Sequence, residues 1–125
     1  YVKLALMPGA GGAHFLPRLV GRARALEMLW TGDFIDAAEA ERIGLVNKTL
    51  PDDALMAHAH GIAERLADGP KQSIRAIKRA VRAGENCDIS ASLDISSSGY
   101  GILAMDADHF EAVDAFLEKR PPKFK

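Results

Sequence analysis

Glycine and proline cut this 125-residue chain into short segments, and that punctuation limits what it can build. Stops fall at Pro8-Gly9-Ala10-Gly11-Gly12, Gly32, Gly44, Pro51, Gly69-Pro70, Gly84 and Pro121-Pro122. Glycine tolerates the positive φ that ends a helix, and proline suits only a helix's first turn. Between the stops the apolar residues recur at helical spacing, so most of the chain reads as a succession of helices. Ala13 to Val20 is a short one with Pro17 near its end. Arg22 to Thr31 follows, with Leu26, Leu29 and Trp30 on one side and Gly32 in the C′ place. Asp36 starts the next in the manner of a capping box, accepting from the amide of Glu39. That helix ends at Gly44, and Leu45 to Leu50 is a short extended piece.

Asp52 caps a longer helix whose stripe is Leu55, Ala59, Ile62 and Leu66. Gly69-Pro70 closes it and opens another, in which Ile74, Ile77 and Val81 are apolar and Lys71, Arg75, Lys78, Arg79 and Arg82 are basic. Ile89, Leu93, Tyr100 and Leu103 suggest a further helix, against the poor propensity of Ser96-Ser97-Ser98-Gly99. The last helix runs from about Ala107 to Lys119, with Phe110, Val113 and Leu117 inward. The chain shows no repeat and no linker long enough to separate domains.

The opening segment is different. Tyr1-Val2-Lys3-Leu4-Ala5-Leu6, stopped by Pro8-Gly9, reads as a short strand. No second strand lies nearby to pair with it. Such a strand must find its partner outside this sequence, so the chain reads as the later portion of a larger fold.

Composition narrows the function classes. Sixteen Lys and Arg against seventeen Asp and Glu leave a formal charge of −1, which gives no electrostatic reason to expect nucleic acid or an acidic membrane as partner. No apolar run is long enough for a membrane span. The single cysteine, Cys87, excludes an intrachain disulfide and fits a reducing, cytoplasmic setting. His58 and His60 are two apart on a helix and point to different sides, while His14 and His109 are isolated, so no metal site is expected. The basic run from Lys71 to Arg82 reads as a solvated face. Gly9-Ala10-Gly11-Gly12-Ala13-His14 has the first two glycines of a dinucleotide fingerprint, but His14 stands at the third and no second strand follows. The turn is better read as one that lets a helix N-terminus approach a polar or anionic ligand.

The run Val2 to Gly12, then Leu16-Pro17-Arg18-Leu19-Val20-Gly21, resembles the crotonase superfamily, the enoyl-CoA hydratases and isomerases. The likeness continues through Thr31-Gly32-Asp33, Ala37-Ala38-Glu39-Ala40 and Gly44-Leu45-Val46-Asn47, and resumes at Ala115 to Pro121. The resemblance implies an α/β (α+β) protein of which this is the C-terminal, mainly helical half of a β-α spiral. Residues 1–50 would end the spiral core, and residues 51–125 would form a helical region for trimerisation and CoA covering. It implies chemistry beside a CoA thioester, with an enolate-like oxygen held by two backbone N–H groups. Those amides and the first catalytic carboxylate belong to the other half of the family's fold. CoA would enter as part of the substrate, with no separate cofactor. The assembly implied is a homotrimer or a dimer of trimers.

The resemblance also assigns residues. Tyr1 occupies the place, seven before Pro8, where hydratases of this family carry their second catalytic Glu. A phenol of pKa near 10 serves poorly as an unassisted base at neutral pH, but it can donate a hydrogen bond or a proton. The Gly9 amide would face the reactive end of the substrate. Phe116 and Lys119, i and i+3, would meet the adenine and phosphate end of CoA. Two further departures, Ala13-His14-Phe15 for the family's Thr-Gln-Arg and Ala112 for its glycine, put two-Glu hydratase chemistry in question. Isomerase, hydrolase and altered hydratase chemistry stay open. The alternative is a catalytically silent binding or scaffold subunit.

Overall fold

The computed structural model describes residues 1–124. Among them there are seven α-helices: α1 (Gly12–Val20), α2 (Arg22–Thr31), α3 (Ala37–Arg42), α4 (Asp52–Ala67), α5 (Lys71–Gly84), α6 (Ile89–Leu103) and α7 (Ala107–Leu117). The chain divides into two compact units, residues 1–55 and 56 onward.

The expected opening strand is not formed. Val2–Leu4 is a single 3₁₀ turn, closed by Leu4 N–H to Tyr1 O at 2.9 Å and Ala5 N–H to Val2 O at 2.9 Å. The reason is physical. A strand's backbone groups need a neighbouring strand, and none exists among the described residues, so the amides bond locally. Ala5 takes the left-handed region (φ 56°) to make the turn. The α/β expectation therefore does not describe this chain by itself, which is helical without strands among the described residues. Lys3 reaches Asp33 at 3.4 Å, but both side chains are exposed and such a pair contributes little.

In the first unit α1 packs on α2, and the 3₁₀ turn lies against α2. Asp36 caps α3 by accepting from Glu39 N–H at 2.8 Å, as its spacing predicts. The helix closes in a Schellman motif: Gly44 (φ 77°) donates to Glu41 O at 3.0 Å and Leu45 to Ala40 O at 2.9 Å. Leu45 to Leu50 is irregular, and Glu41 accepts from both the backbone N–H and the hydroxyl of Thr49 to hold that loop back on α3. Asp52 is the first residue of α4 rather than its cap, because Pro51 O already accepts from Ala54 and Leu55.

In the second unit α5 packs on α6. The serine-rich α6 forms in spite of its composition. Asp88 caps it by accepting from Ala91 N–H at 3.0 Å, and the Ser96 hydroxyl bonds back to Ser92 O at 2.9 Å. Between α5 and α6 lies an apolar cleft of about 520 Å³, lined by Ala76, Ile77, Ala80, Ile95 and Tyr100 among others.

Little of the apolar surface is covered. Among the described residues the buried hydrophobic ones are Ala25, Ile43 and Ala115. The chain exposes 10051 Å², whereas a closed monomer of this length would expose about 6,500 Å², and two separate half-sized globules about 7,900 Å². Phe110, Val113 and Leu117, expected inward on α7, are exposed, as are Leu55, Ile62 and Leu66 on α4. Helical periodicity identifies which face can bury, but not what buries it.

Candidate functional site

The glycine-rich turn joins the 3₁₀ turn to α1, and its glycines are not equivalent. Gly11 is the N-cap of α1 at φ 85°, where an added Cβ would lie 2.8 Å from the Phe15 ring. At Gly12 a Cβ would lie 2.9 Å from the Pro8 ring. Gly11 is favoured by its left-handed φ, and Gly12 by the close Pro8 ring. Gly9 is exposed, and a Cβ there meets no atom of the chain within 4 Å. Nothing in the described fold demands glycine at position 9. Tyr1 is 67% exposed, and its carbonyl accepts from Leu4 and Leu6 at 2.9 and 3.1 Å, which anchors its backbone.

At the other end of the chain, α7 is capped by Asp106 and stops at Leu117, two residues earlier than its pattern suggests. Its end is a second Schellman motif. Lys119 N–H donates to Phe116 O at 3.2 Å and Arg120 N–H to Ala115 O at 3.0 Å. The αL residue that glycine supplies at the end of α3 is here Lys119, at φ 56°. A residue with a Cβ in that region costs about 1–2 kcal/mol relative to ordinary helical conformation. Lys119 has therefore left the helical lattice, so helical i, i+3 spacing does not set its relation to Phe116. The two are joined instead by the backbone hydrogen bond of the motif. Phe116 is 81% exposed, which excludes it from this chain's core. No carboxylate pairs with Lys119 among the described residues.

The sequence did not reveal what holds this turn. Arg120 grips Glu111 with both terminal nitrogens, at 2.6 and 3.1 Å, and its Nε donates to Glu118 at 2.6 Å. Glu111 also accepts from Lys123 N–H at 2.8 Å. One carboxylate on α7 thus ties down the residues on the far side of Lys119. A signal was available: α7 must stop before Pro121-Pro122 and no glycine precedes them, so a residue with a Cβ must make the turn.

The Arg120 guanidinium, and after it the Lys123 amide, hold the Glu111 carboxyl down to about 2. The same carboxylates raise Arg120 further above its usual range. Since the folded value of Glu111 lies below the ordinary 4.5, the stability it contributes is complete above about pH 4.5 and is lost as pH falls toward 2. A carbon-detected NMR titration should find the Glu111 midpoint near 2, and Arg120→Ala should return it toward the ordinary range. A midpoint near 4.5 in the unsubstituted protein would show that the clamp does not form in solution.

The five basic residues of α5 are exposed, and four of them, Arg75, Lys78, Arg79 and Arg82, line with Gln72 a shallow groove of about 480 Å³. Among the described residues no group of three His, Cys, Asp or Glu is placed to hold a metal ion, and no helix is long and apolar enough to cross a membrane. Cys87 lies exposed between α5 and α6.

These helices, in this order, match known proteins throughout. A solved enoyl-CoA hydratase from Bacillus anthracis superposes with a TM-score of 0.93 at 38% identity, over 99% of this chain and 48% of that one. A probable enoyl-CoA hydratase of Rhodobacter capsulatus is 42% identical over 99% of this chain and 48% of its own length. A crotonyl-CoA hydratase of Syntrophomonas wolfei is 39% identical, over 98% and 47%. The chain spans about half the length of the curated relatives it matches. It corresponds to a mainly helical portion of the crotonase fold. The enoyl-CoA hydratase/isomerase family model matches residues 1–125, and the chain belongs to that family.

Proposed function

We propose that the protein acts on an enoyl-CoA or acyl-CoA thioester through a stabilised thioester enolate, as a hydratase- or isomerase-type enzyme. The observation that carries this reading is the match to hydratases at about 40% identity across nearly the whole chain. In this reading Gly9 lines the reactive end of the substrate, beside the N-terminus of α1, whose amides favour negative charge. Its support is that the fold itself gives no reason for glycine at that position. Tyr1 stands where a Glu would serve and acts as a hydrogen-bond or proton donor. Phe116 covers adenine and Lys119 neutralises a phosphate of CoA. Support comes from the exposure of Phe116 and from a Lys119 ammonium that no carboxylate pairs among the described residues.

We further infer that Val2 to Leu6 becomes a strand when paired with the β-α spiral of an α/β protein, with residues 51–125 as the trimerisation and CoA-covering region. The assembly is a homotrimer or a dimer of trimers in the cytoplasm, with no membrane or nucleic acid as partner. The exposed apolar faces of α4, α5 and α7 support burial against further protein. A silent scaffold subunit is the weaker reading, since the curated relatives matched are named as enzymes. Tyr1 is the one feature that favours it.

A panel of CoA thioesters assayed on the full-length protein tests the activity. Loss of the conjugated enoyl absorbance from crotonyl-CoA, or migration of the double bond in a 3-enoyl-CoA, is the expected result. No turnover of any thioester, with CoA still bound, would select the silent reading.

A further inference from the structure

The turn after α7 combines three facts that a plain helix end does not need. A lysine occupies the αL position, where α3 uses Gly44 in the same hydrogen-bonding motif. The residue after it, Arg120, is fixed by a two-pronged pair to Glu111, nine residues back on α7. The same Glu111 oxygen that Arg120 Nη1 touches also takes the amide of Lys123. A glycine would relax the backbone at 119, so Lys119 takes this conformation against its local preference. Strained residues persist where their surroundings over-determine them, and such strain gathers at functional sites. At Lys119 those surroundings are Glu111, Arg120 and the Lys123 amide.

From this geometry we infer that Glu111 and Arg120 are positioning residues for the CoA contact, clamping the α7 turn so that Lys119 projects its ammonium from one fixed backbone site. This rests on the reading of Lys119 as a CoA phosphate contact, and adds to it the device that holds the lysine in place. A free lysine on a frayed helix end would lose side-chain and backbone freedom on meeting a phosphate. A lysine on a clamped turn has already lost the backbone part, so more of the contact remains as affinity. Neither clamp residue touches the ligand in this scheme; both act through residue 119.

A double-mutant cycle separates the clamp from the reading it rests on. Binding of CoA, and of 3′-dephospho-CoA, is measured by calorimetry on the full-length protein and on Lys119→Ala, Glu111→Gln and the double variant. Lys119→Ala should weaken CoA roughly tenfold or more, the scale of a charge-assisted contact. Glu111→Gln should weaken it several-fold while leaving kcat at saturating substrate unchanged. In the Lys119→Ala background Glu111→Gln should do nothing further. An equal loss from Glu111→Gln in both backgrounds, or no loss in either, overturns the clamp while leaving the lysine contact standing. No loss from Lys119→Ala overturns the contact itself, and the clamp with it. If Glu111→Gln fails to fold, Arg120→Lys, which keeps the charge but loses the two-pronged grip, runs the same cycle with the same outcomes. Comparison of the two ligands tells whether the 3′-phosphate or the pyrophosphate is the partner.

Discussion

Gly9→Ala should lower kcat about 100-fold and leave the fold unchanged, whereas Gly11→Ala should destabilise the protein by about 1–2 kcal/mol. The two glycines lie two residues apart in one turn, but they are glycine for different reasons. Gly11 sits at φ 85°, and a methyl there also presses on the Phe15 ring. Its cost is in the backbone, and urea unfolding measures it. At Gly9 the methyl meets nothing of the chain, so its effect falls on whatever approaches from outside. A displacement of about 1 Å at a reacting centre is enough for a loss of that size. Wild-type kcat in a folded Gly9→Ala variant would remove Gly9 from the site.

Tyr1→Glu should raise crotonyl-CoA hydration by about 100-fold or more. A positioned general acid–base group contributes 10²–10⁴ in rate, and a carboxylate is ionised at neutral pH where a phenol is not. The position already has the matching spacing to Pro8-Gly9, so only the functional group changes. Tyr1→Phe gives the opposite arm: loss of the hydroxyl should lower whichever activity the thioester panel reveals by about tenfold. Steady-state kinetics on the three proteins suffices. If Glu and Phe both leave the rate where it was, Tyr1 does not take part.

The helices were legible in the sequence because each is bounded by residues with a local mechanism. Asp36, Asp88 and Asp106 cap by accepting a nearby amide, and Gly32 and Gly44 end helices in the left-handed region. Even α6, whose serines argue against it, is secured locally by its Asp88 cap. The expected opening strand is absent among the described residues for the converse reason. Strand pairing is non-local, and the described residues offer residues 1–6 no second strand. The stripes on α4 and α7 carry the right period, but their burial depends on surfaces that periodicity does not describe. At the candidate site, Phe116 and Lys119 were identified by resemblance, while the strained turn and its clamp depend on Glu111 meeting Arg120 nine residues away. A side-chain pair across a helix end is set by three-dimensional return of the chain, which a linear pattern does not encode.

The pairing of α1 with α2, and of α5 with α6, joins helices that are neighbours along the chain. Contacts of that kind close small loops and form in microseconds to milliseconds, whereas contacts between distant segments wait for larger loops to close. The helical pairs can therefore be complete while Phe110, Leu117 and the α5–α6 cleft stand exposed. During that interval the competing reaction is association with other incompletely folded molecules. Time and concentration, more than helix strength, then govern how many chains escape that association.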